Sequence, residues 1–111
     1  MSTGYSKGTS TLSKAESIKA KDGLLHAEPT GSALKGDATH RSATFYREEA
    51  AKSGTHYKLN SGDGTTSTLT QIPGSLNGKS GRYEYIVNSS GKLTHQRFVE
   101  GGTINGIPNV R

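Results

Sequence analysis

The sequence contains no cysteine and no tryptophan, and hydrophobic residues make up only 29% of it. Without cysteine the chain can form no disulfide bond, thiolate zinc site or cysteine nucleophile. No stretch approaches the ~18 consecutive apolar residues of a membrane-spanning helix, and the N-terminus lacks the apolar segment of a signal peptide. We therefore expect no membrane span, and a chemistry that relies on oxygen and nitrogen side chains.

Large apolar residues are scarce and unevenly placed. Leu, Ile, Val and Phe number 18 of 111 residues, and 13 of them lie between Phe45 and Val110. The C-terminal part must therefore supply most of the core. Residues 1–11 are dominated by Gly, Ser and Thr, which predicts a flexible lead. The length predicts a single domain over residues 1–111.

Basic residues outnumber acidic ones, since 14 Lys and Arg against 9 Asp and Glu give a net charge of +5. A positive surface binds polyanions because binding releases their condensed counterions. The same charge also serves plain solubility, and it is spread along the chain with no basic run. The composition thus favours a nucleic acid partner without establishing one.

The hydrophobic periodicity changes from helical to alternating at Thr55. Before it, Ser13 and Asp37 are suited to cap two helices, which we predict over residues 13–21 and 38–52. After it, we predict four strands: one around Tyr57 and Leu59, then residues 66–72, which end at a turn formed by Pro73-Gly74, then 82–87 and 92–99. This order indicates an α+β fold with N-terminal helices packed on a four- to five-stranded antiparallel sheet.

His95 and Arg97 are two residues apart on a predicted strand, so both side chains leave the same face of the sheet. RNA cleavage without a metal needs a base for the 2′-hydroxyl, an acid for the leaving oxygen and a cation for the phosphorane. Histidine titrates near neutrality and arginine binds phosphate bidentately. The pair is therefore a candidate catalytic site, although basic strands also carry such pairs without a function.

The hairpin loop at residues 88–91 decides which side chains join His95. A loop with an even number of residues places Glu84 on the same face, which gives a Glu/His/Arg trio. A three-residue loop that ends in a glycine bulge places Tyr83 and Tyr85 there instead, where they could stack on bases. The sequence does not choose, because a shift of one residue moves every side chain to the other face.

Three further candidates lie near the start of the second predicted helix. A helix N-terminus attracts phosphate through its free amides and its dipole. Lys35, His40 and Arg41 would add donors there, with His40 as a secondary catalytic candidate and the other two as RNA contacts. An ordinary polar helix start explains the same residues.

Two more RNA contacts are predicted outside that helix. Thr103 follows the glycine pair Gly101-Gly102, close to the end of the His95 strand, and Lys58 lies on the first strand. No two histidines have the spacing of a metal site and the acidic residues do not cluster, so we expect neither a metal nor another cofactor.

Residues 77–109 contain an aromatic strand, a T-H-x-x-F strand, a glycine pair and a G-x-P-N ending. In this sequence they are Tyr83 to Val87, Thr94-His95 through Phe98, Gly101-Gly102 and Gly106 to Asn109. This stretch, NGKSGRYEYIVNSSGKLTHQRFVEGGTINGIPN, resembles the C-terminal end of toxin domains of bacterial contact-dependent growth-inhibition and polymorphic toxins. The resemblance implies a ribonuclease of the barnase/EndoU/colicin/RelE type.

The resemblance implies a toxin domain that cuts tRNA or another RNA without a metal. It implies delivery from a producing cell within a larger secreted protein, action in the target-cell cytoplasm, and neutralisation by a cognate, acidic immunity protein. An elongation factor is a further partner that it leaves open. Two other interpretations stay open as well: a non-catalytic basic domain that binds RNA or protein, and a structural or adhesin fragment.

Overall fold

The computed structural model describes residues 12–60 and 64–109, so the predicted lead at residues 1–11 lies outside it. The described residues form three α-helices in the first half of the chain: α1 (Lys14–His26), α2 (Ala38–Arg41) and α3 (Arg47–Ser53). Two 3-10 helices, Gly31–Leu34 and Ser42–Tyr46, lie on either side of α2. The five strands are β1 (Glu28–Pro29), β2 (Thr55–Asn60), β3 (Thr66–Leu76), β4 (Lys79–Val87) and β5 (Lys92–Glu100).

Helix α1 begins where the capping residues predicted. The Ser13 hydroxyl accepts a hydrogen bond from the Glu16 amide, and the Glu16 carboxylate accepts one from the Ser13 amide. This reciprocal pair satisfies two amides that the first helical turn leaves free. The second predicted helix is interrupted instead, because the 3-10 turn over Ser42–Tyr46 separates α2 from α3.

The sheet has the order β1-β5-β4-β3-β2. It is antiparallel except at one edge, where the two-residue strand β1 runs parallel to the start of β5. The fold is therefore α+β, as predicted, with a mixed five-stranded sheet. The predicted turn at Pro73-Gly74 is wrong, because β3 continues to Leu76 and the chain reverses at Asn77-Gly78, both with positive φ.

The two faces of the sheet bury different layers. The helices cover one face, and the core there contains these buried side chains: Leu24, Ala43, Ala50, Ile72, Tyr83, Tyr85, Val87, Leu93 and Phe98. On the other face lies a smaller cluster of Tyr57, Leu59, Leu69 and Ile86, against which Ile104 packs. Residues 102–109, which we call the strap, cover this second face, which we call the strap face.

A β-bulge in the β4–β5 hairpin decides which residues of β5 point to the strap face. Next to the loop Val87 pairs with Leu93, but one step further Ile86 pairs with His95, so Thr94 is an extra residue. Such an insertion reverses the alternation of the strand. Leu93 therefore lies in the core under the helices while His95 points to the strap face.

Within the described ranges, no helix is both long enough and apolar enough to cross a membrane.

Candidate active site on the strap face

One buried carboxylate organises the polar residues of the strap face. Glu84 has no exposed surface. Its Oε2 accepts a hydrogen bond from His95 Nε2 at 2.8 Å, and its Oε1 accepts one from Arg82 Nε at 2.6 Å. The backbone amide of Asn109, in the strap, also donates to Oε2 at 2.7 Å. The group therefore joins a carboxylate, an imidazole and a guanidinium, of the kind that general acid–base chemistry uses.

The charge state of Glu84 follows from these contacts. Burial by itself raises the pKa of Glu84, but the hydrogen bonds and charges of His95 and Arg82 outweigh burial and hold the pKa below its ordinary value. An ionised carboxylate can only accept hydrogen bonds, so His95 Nε2 must carry a proton. The imidazole nitrogen left for proton transfer is then Nδ1.

Arg97 faces the same side of the sheet as this group. It lies directly across from Glu84 in the β4–β5 pair, as His95 lies across from Ile86. Arg97 is half-buried, and its Nε donates to the carbonyl of Phe98. The structure thus brings Glu84, His95 and Arg97 onto one face.

Arg82 is tied to the strap by its two terminal nitrogens. Nη1 donates to the carbonyl of Thr103, and Nη2 donates to the carbonyl of Ile107, each at 3.0 Å. The guanidinium therefore bridges the Glu84 carboxylate and two strap carbonyls. Thr103 is exposed and lies beside Arg82, and its contact with the site is through its backbone oxygen.

Gln71 is a second buried link between sheet and strap. It has no exposed surface, and its side-chain oxygen accepts hydrogen bonds from the amides of Asn105 and Gly106 at 3.0 and 2.9 Å. Its amide nitrogen donates to Glu84 Oε1 at 3.3 Å. Buried polar groups that are all paired fix one arrangement of the chain. The strap is consequently held mainly through its backbone.

Tyr83 and Tyr85 lie on the opposite face, in the core beneath the helices. Both rings are fully buried. The Tyr83 hydroxyl donates to the carbonyl of Ser75, and the Tyr85 hydroxyl donates to the carbonyl of Ala43. Neither ring offers a face on which a base could stack, so the structure removes both tyrosines from the set of RNA contacts.

His40 is separated from His95 by the sheet, so the two histidines do not form one site. The backbone oxygen of His40 accepts a hydrogen bond from Gln96, whose side chain lies on the helix face. His40 Nδ1 lies 2.8 Å from the carboxylate of Asp37. Lys35 and Arg41 are exposed near the same helix start, away from the strap face.

The start of α2 is occupied by its own cap. The Asp37 carboxylate accepts hydrogen bonds from the Thr39 hydroxyl and the His40 amide. Hydrogen bonds from Thr39 and His40 lower the pKa of Asp37 well below its ordinary range, so the cap is an anion. A phosphate would meet a negative charge here, and the predicted phosphate site at this helix start is not supported.

Lys58 also lies on the helix side of the sheet, where its Nζ is 3.2 Å from Glu16 Oε2 of α1. Lys58 is therefore on the opposite face of the sheet from His95, and strands β3 and β4 lie between their two strands. In the part of the chain that the structure describes, no group of three or more His, Asp or Glu side chains is arranged to hold a metal ion.

Arg82 and Gln71 are site residues that the sequence reasoning missed. Arg82 is two residues before Glu84 on the same strand, so the alternation that placed Glu84 also places Arg82. Gln71 pairs directly with Glu84 in the β3–β4 register. Its signal was weaker, since a single glutamine in a threonine-rich strand suggests a solvent-facing position.

Comparison of the chain with protein families, with curated proteins and with solved structures finds no match.

Proposed function

We propose that the protein is a metal-independent endoribonuclease whose active site is the strap face around His95. The observation that carries the proposal is the Glu84 carboxylate, which lies 2.8 Å from the His95 imidazole and 2.6 Å from the Arg82 guanidinium. Arg97 supports the proposal from the same face. The net charge of +5 favours a polyanionic substrate.

The chemistry assigns one role to each group. Glu84 positions the imidazole and accepts a hydrogen bond from its Nε2, in the way that the third member of a catalytic triad does. His95 Nδ1 takes the proton of the 2′-hydroxyl, whose oxygen then attacks phosphorus. The arginines stabilise the charge of the phosphorane. The P–O5′ bond breaks as His95 returns the proton to the leaving oxygen, and the products are a 2′,3′-cyclic phosphate and a 5′-hydroxyl.

The resemblance of residues 77–109 to toxin domains refines the proposal. The substrate is then tRNA in a target bacterium, the domain reaches it as part of a larger secreted protein, and a cognate acidic immunity protein neutralises it. An elongation factor belongs to the set of partners to be tested with the substrate.

The test is cleavage of total tRNA in EDTA by the wild type and by two histidine variants. His95→Ala removes the proposed proton-transfer group and should slow cleavage by about 100-fold or more. His26→Ala is the matched control, because His26 is exposed on α1 and its ring lies 2.9 Å from the Asp22 carbonyl of the same helix, away from the strap. The proposal fails if His95→Ala cuts as fast as the wild type, or if the wild type leaves every tRNA intact with and without cell extract.

A second candidate function is supported by the burial of the same group. His95 is 4% exposed and Glu84 is 0% exposed, which suits a network that only anchors the strap. The protein would then be a non-catalytic domain that binds RNA through its basic surface. A gel shift that weakens steeply with salt, without products at any time, would decide for this candidate.

A further inference from the structure

The strap occupies the hydrogen-bonding positions that an RNA phosphate would need. Both terminal nitrogens of Arg82 donate to strap carbonyls, those of Thr103 and Ile107. Two parallel N–H groups of a guanidinium are also the usual donors to a phosphate. The two carbonyl oxygens therefore lie where two phosphate oxygens would bind.

The strap is held by few side chains. Ile104 is its apolar anchor on the sheet, packed against the cluster that includes Leu59 and Ile86. Ile107 is 49% exposed. The strap backbone also forms hydrogen bonds with Arg82, Gln71 and Glu84, and the Asn105 side chain accepts one more from Gln71. A segment with so little apolar burial opens at a lower free energy than the sheet beneath it.

The strap follows a glycine turn that stays attached to the sheet. Gly101 has φ of 72°, and its amide donates to the Ser80 carbonyl at 2.8 Å, while the Gly102 amide donates to the Val99 carbonyl at 3.0 Å. Lifting of the strap would therefore begin after Gly102 and leave β5, which ends at Glu100, in place.

We propose that the strap is an internal competitor of the substrate: it closes the Arg82–Glu84–His95 site in the free protein and lifts when a phosphodiester binds Arg82. The identity of the ligand rests on the proposed function, and the closure of the site by the strap does not. Arg82 becomes a phosphate-binding residue in the open form. The apparent affinity for the ligand then equals the affinity of the open form multiplied by the fraction of molecules whose strap is open.

Two isoleucines of the strap provide a matched pair of full-length variants. Ile104→Ala removes the apolar anchor but none of the donors or acceptors of the site. Ile107→Ala makes the same chemical change at an exposed position. A 2′-deoxy oligonucleotide is the probe, because it offers phosphates but cannot be cut through a 2′-hydroxyl. We expect Ile104→Ala to speed hydrogen exchange at the Asn105 and Gly106 amides about tenfold and to tighten oligonucleotide binding by a similar factor.

In the wild type, saturating oligonucleotide should speed exchange at the Asn105 and Gly106 amides, because the strap has lifted. Unchanged or slower exchange would overturn the inference. An Ile104→Ala protein whose amides exchange faster but which binds the oligonucleotide no more tightly would also overturn it. The same holds if Ile107→Ala changes exchange and binding as much as Ile104→Ala does. If Ile104→Ala does not fold, the wild-type measurement alone decides.

The outcomes also separate this inference from the proposed function. If the oligonucleotide lifts the strap and RNA stays intact, the strap competes for a binding site and the nuclease proposal fails. If RNA is cut while the two amides stay equally protected, the nuclease proposal stands and the competitor role is wrong.

Discussion

At the scale of single residues, the site depends on one buried charge, that of Glu84. A fully buried carboxylate is stable only when hydrogen bonds and opposite charges replace its hydration. Arg82, His95 and the Asn109 amide supply them. Removing the charge should therefore affect stability as well as any activity.

Glu84→Gln should lower the free energy of unfolding at neutral pH by about 3 kcal/mol, because Arg82 then remains buried without its ion pair. The pKa of Glu84 in the folded protein lies below its ordinary 4.5, so the ionised carboxylate stabilises the fold above that pH. This contribution is lost as the pH falls through the lowered pKa. Denaturant titrations should thus show a gap between wild type and variant that narrows below about pH 4.5.

Glu48→Gln is the control for this titration, since Glu48 is exposed and forms a surface ion pair with Lys52. It should change the unfolding free energy by less than about 0.5 kcal/mol at any pH. A gap for Glu84→Gln that stays constant down to pH 3, or widens, would contradict the assigned charge state.

At the scale of elements, sequence periodicity predicted some features and failed at others for identifiable reasons. The N-cap of α1 was predictable because the Ser13–Glu16 capping box is a local interaction. The turn at Pro73-Gly74 was wrong because turn propensity is overridden when strand pairing continues through the turn residues, as the pairing of β3 with β4 does up to Leu76. Local signals are reliable only where no distant partner competes with them.

The bulge at Thr94 could not be predicted from the alternation of β5. Next to the loop Val87 pairs with Leu93, and if that register continued, Tyr85 would lie opposite His95. The extra residue Thr94 shifts the pairing by one, so Glu84 and Ile86 lie on the face of His95 instead. Nothing in the sequence around Thr94 distinguishes a bulge from a regular strand. From the sequence, the Glu84/His95/Arg97 trio was therefore one of two alternatives, the other placing Tyr83 and Tyr85 beside His95.

The β4–β5 hairpin also requires a glycine at position 81. A Cβ at Gly81 would overlap the carbonyl oxygen of Val99 and the ring of Phe98. Gly81→Ala should therefore destabilise the protein by about 2 kcal/mol, because the crowding displaces β5. Thermal unfolding measures this change, and strand β5 amides should lose exchange protection.

Gly23→Ala is the opposite case, since Gly23 lies within α1 and its Cβ would meet nothing within 4 Å. It should stabilise the protein by about 0.5–1 kcal/mol, because alanine has the higher helix propensity. Equal effects of the two substitutions would show that the hairpin contact is wrongly described.

At the scale of the whole molecule, the described fold places a polar site on the face of the sheet that the helices do not cover. The helix face is closed by an apolar core, with Tyr83 and Tyr85 at its centre. The strap face has only a small apolar cluster and a covering segment held by hydrogen bonds. Any substrate of the trio must therefore approach from the strap side.

The net charge of +5 should make RNA binding strongly dependent on salt. If three or four phosphates are neutralised, raising the salt from 50 to 200 mM should weaken tRNA binding by about one to two orders of magnitude. Gel shifts with the His95→Ala protein measure this without cleavage. An affinity that does not change with salt would argue against a polyanionic ligand.

The central claim is that His95, positioned by Glu84, takes the proton of an RNA 2′-hydroxyl, whose oxygen then attacks the neighbouring phosphorus and breaks the RNA chain. The most direct measurement is the chemical identity of the RNA ends after incubation of wild-type protein with tRNA in EDTA. The account predicts fragments that end in a 2′,3′-cyclic phosphate, with 5′-hydroxyl partners. Fragments with a 3′-hydroxyl and a 5′-phosphate, or tRNA that is bound but stays intact, would contradict it.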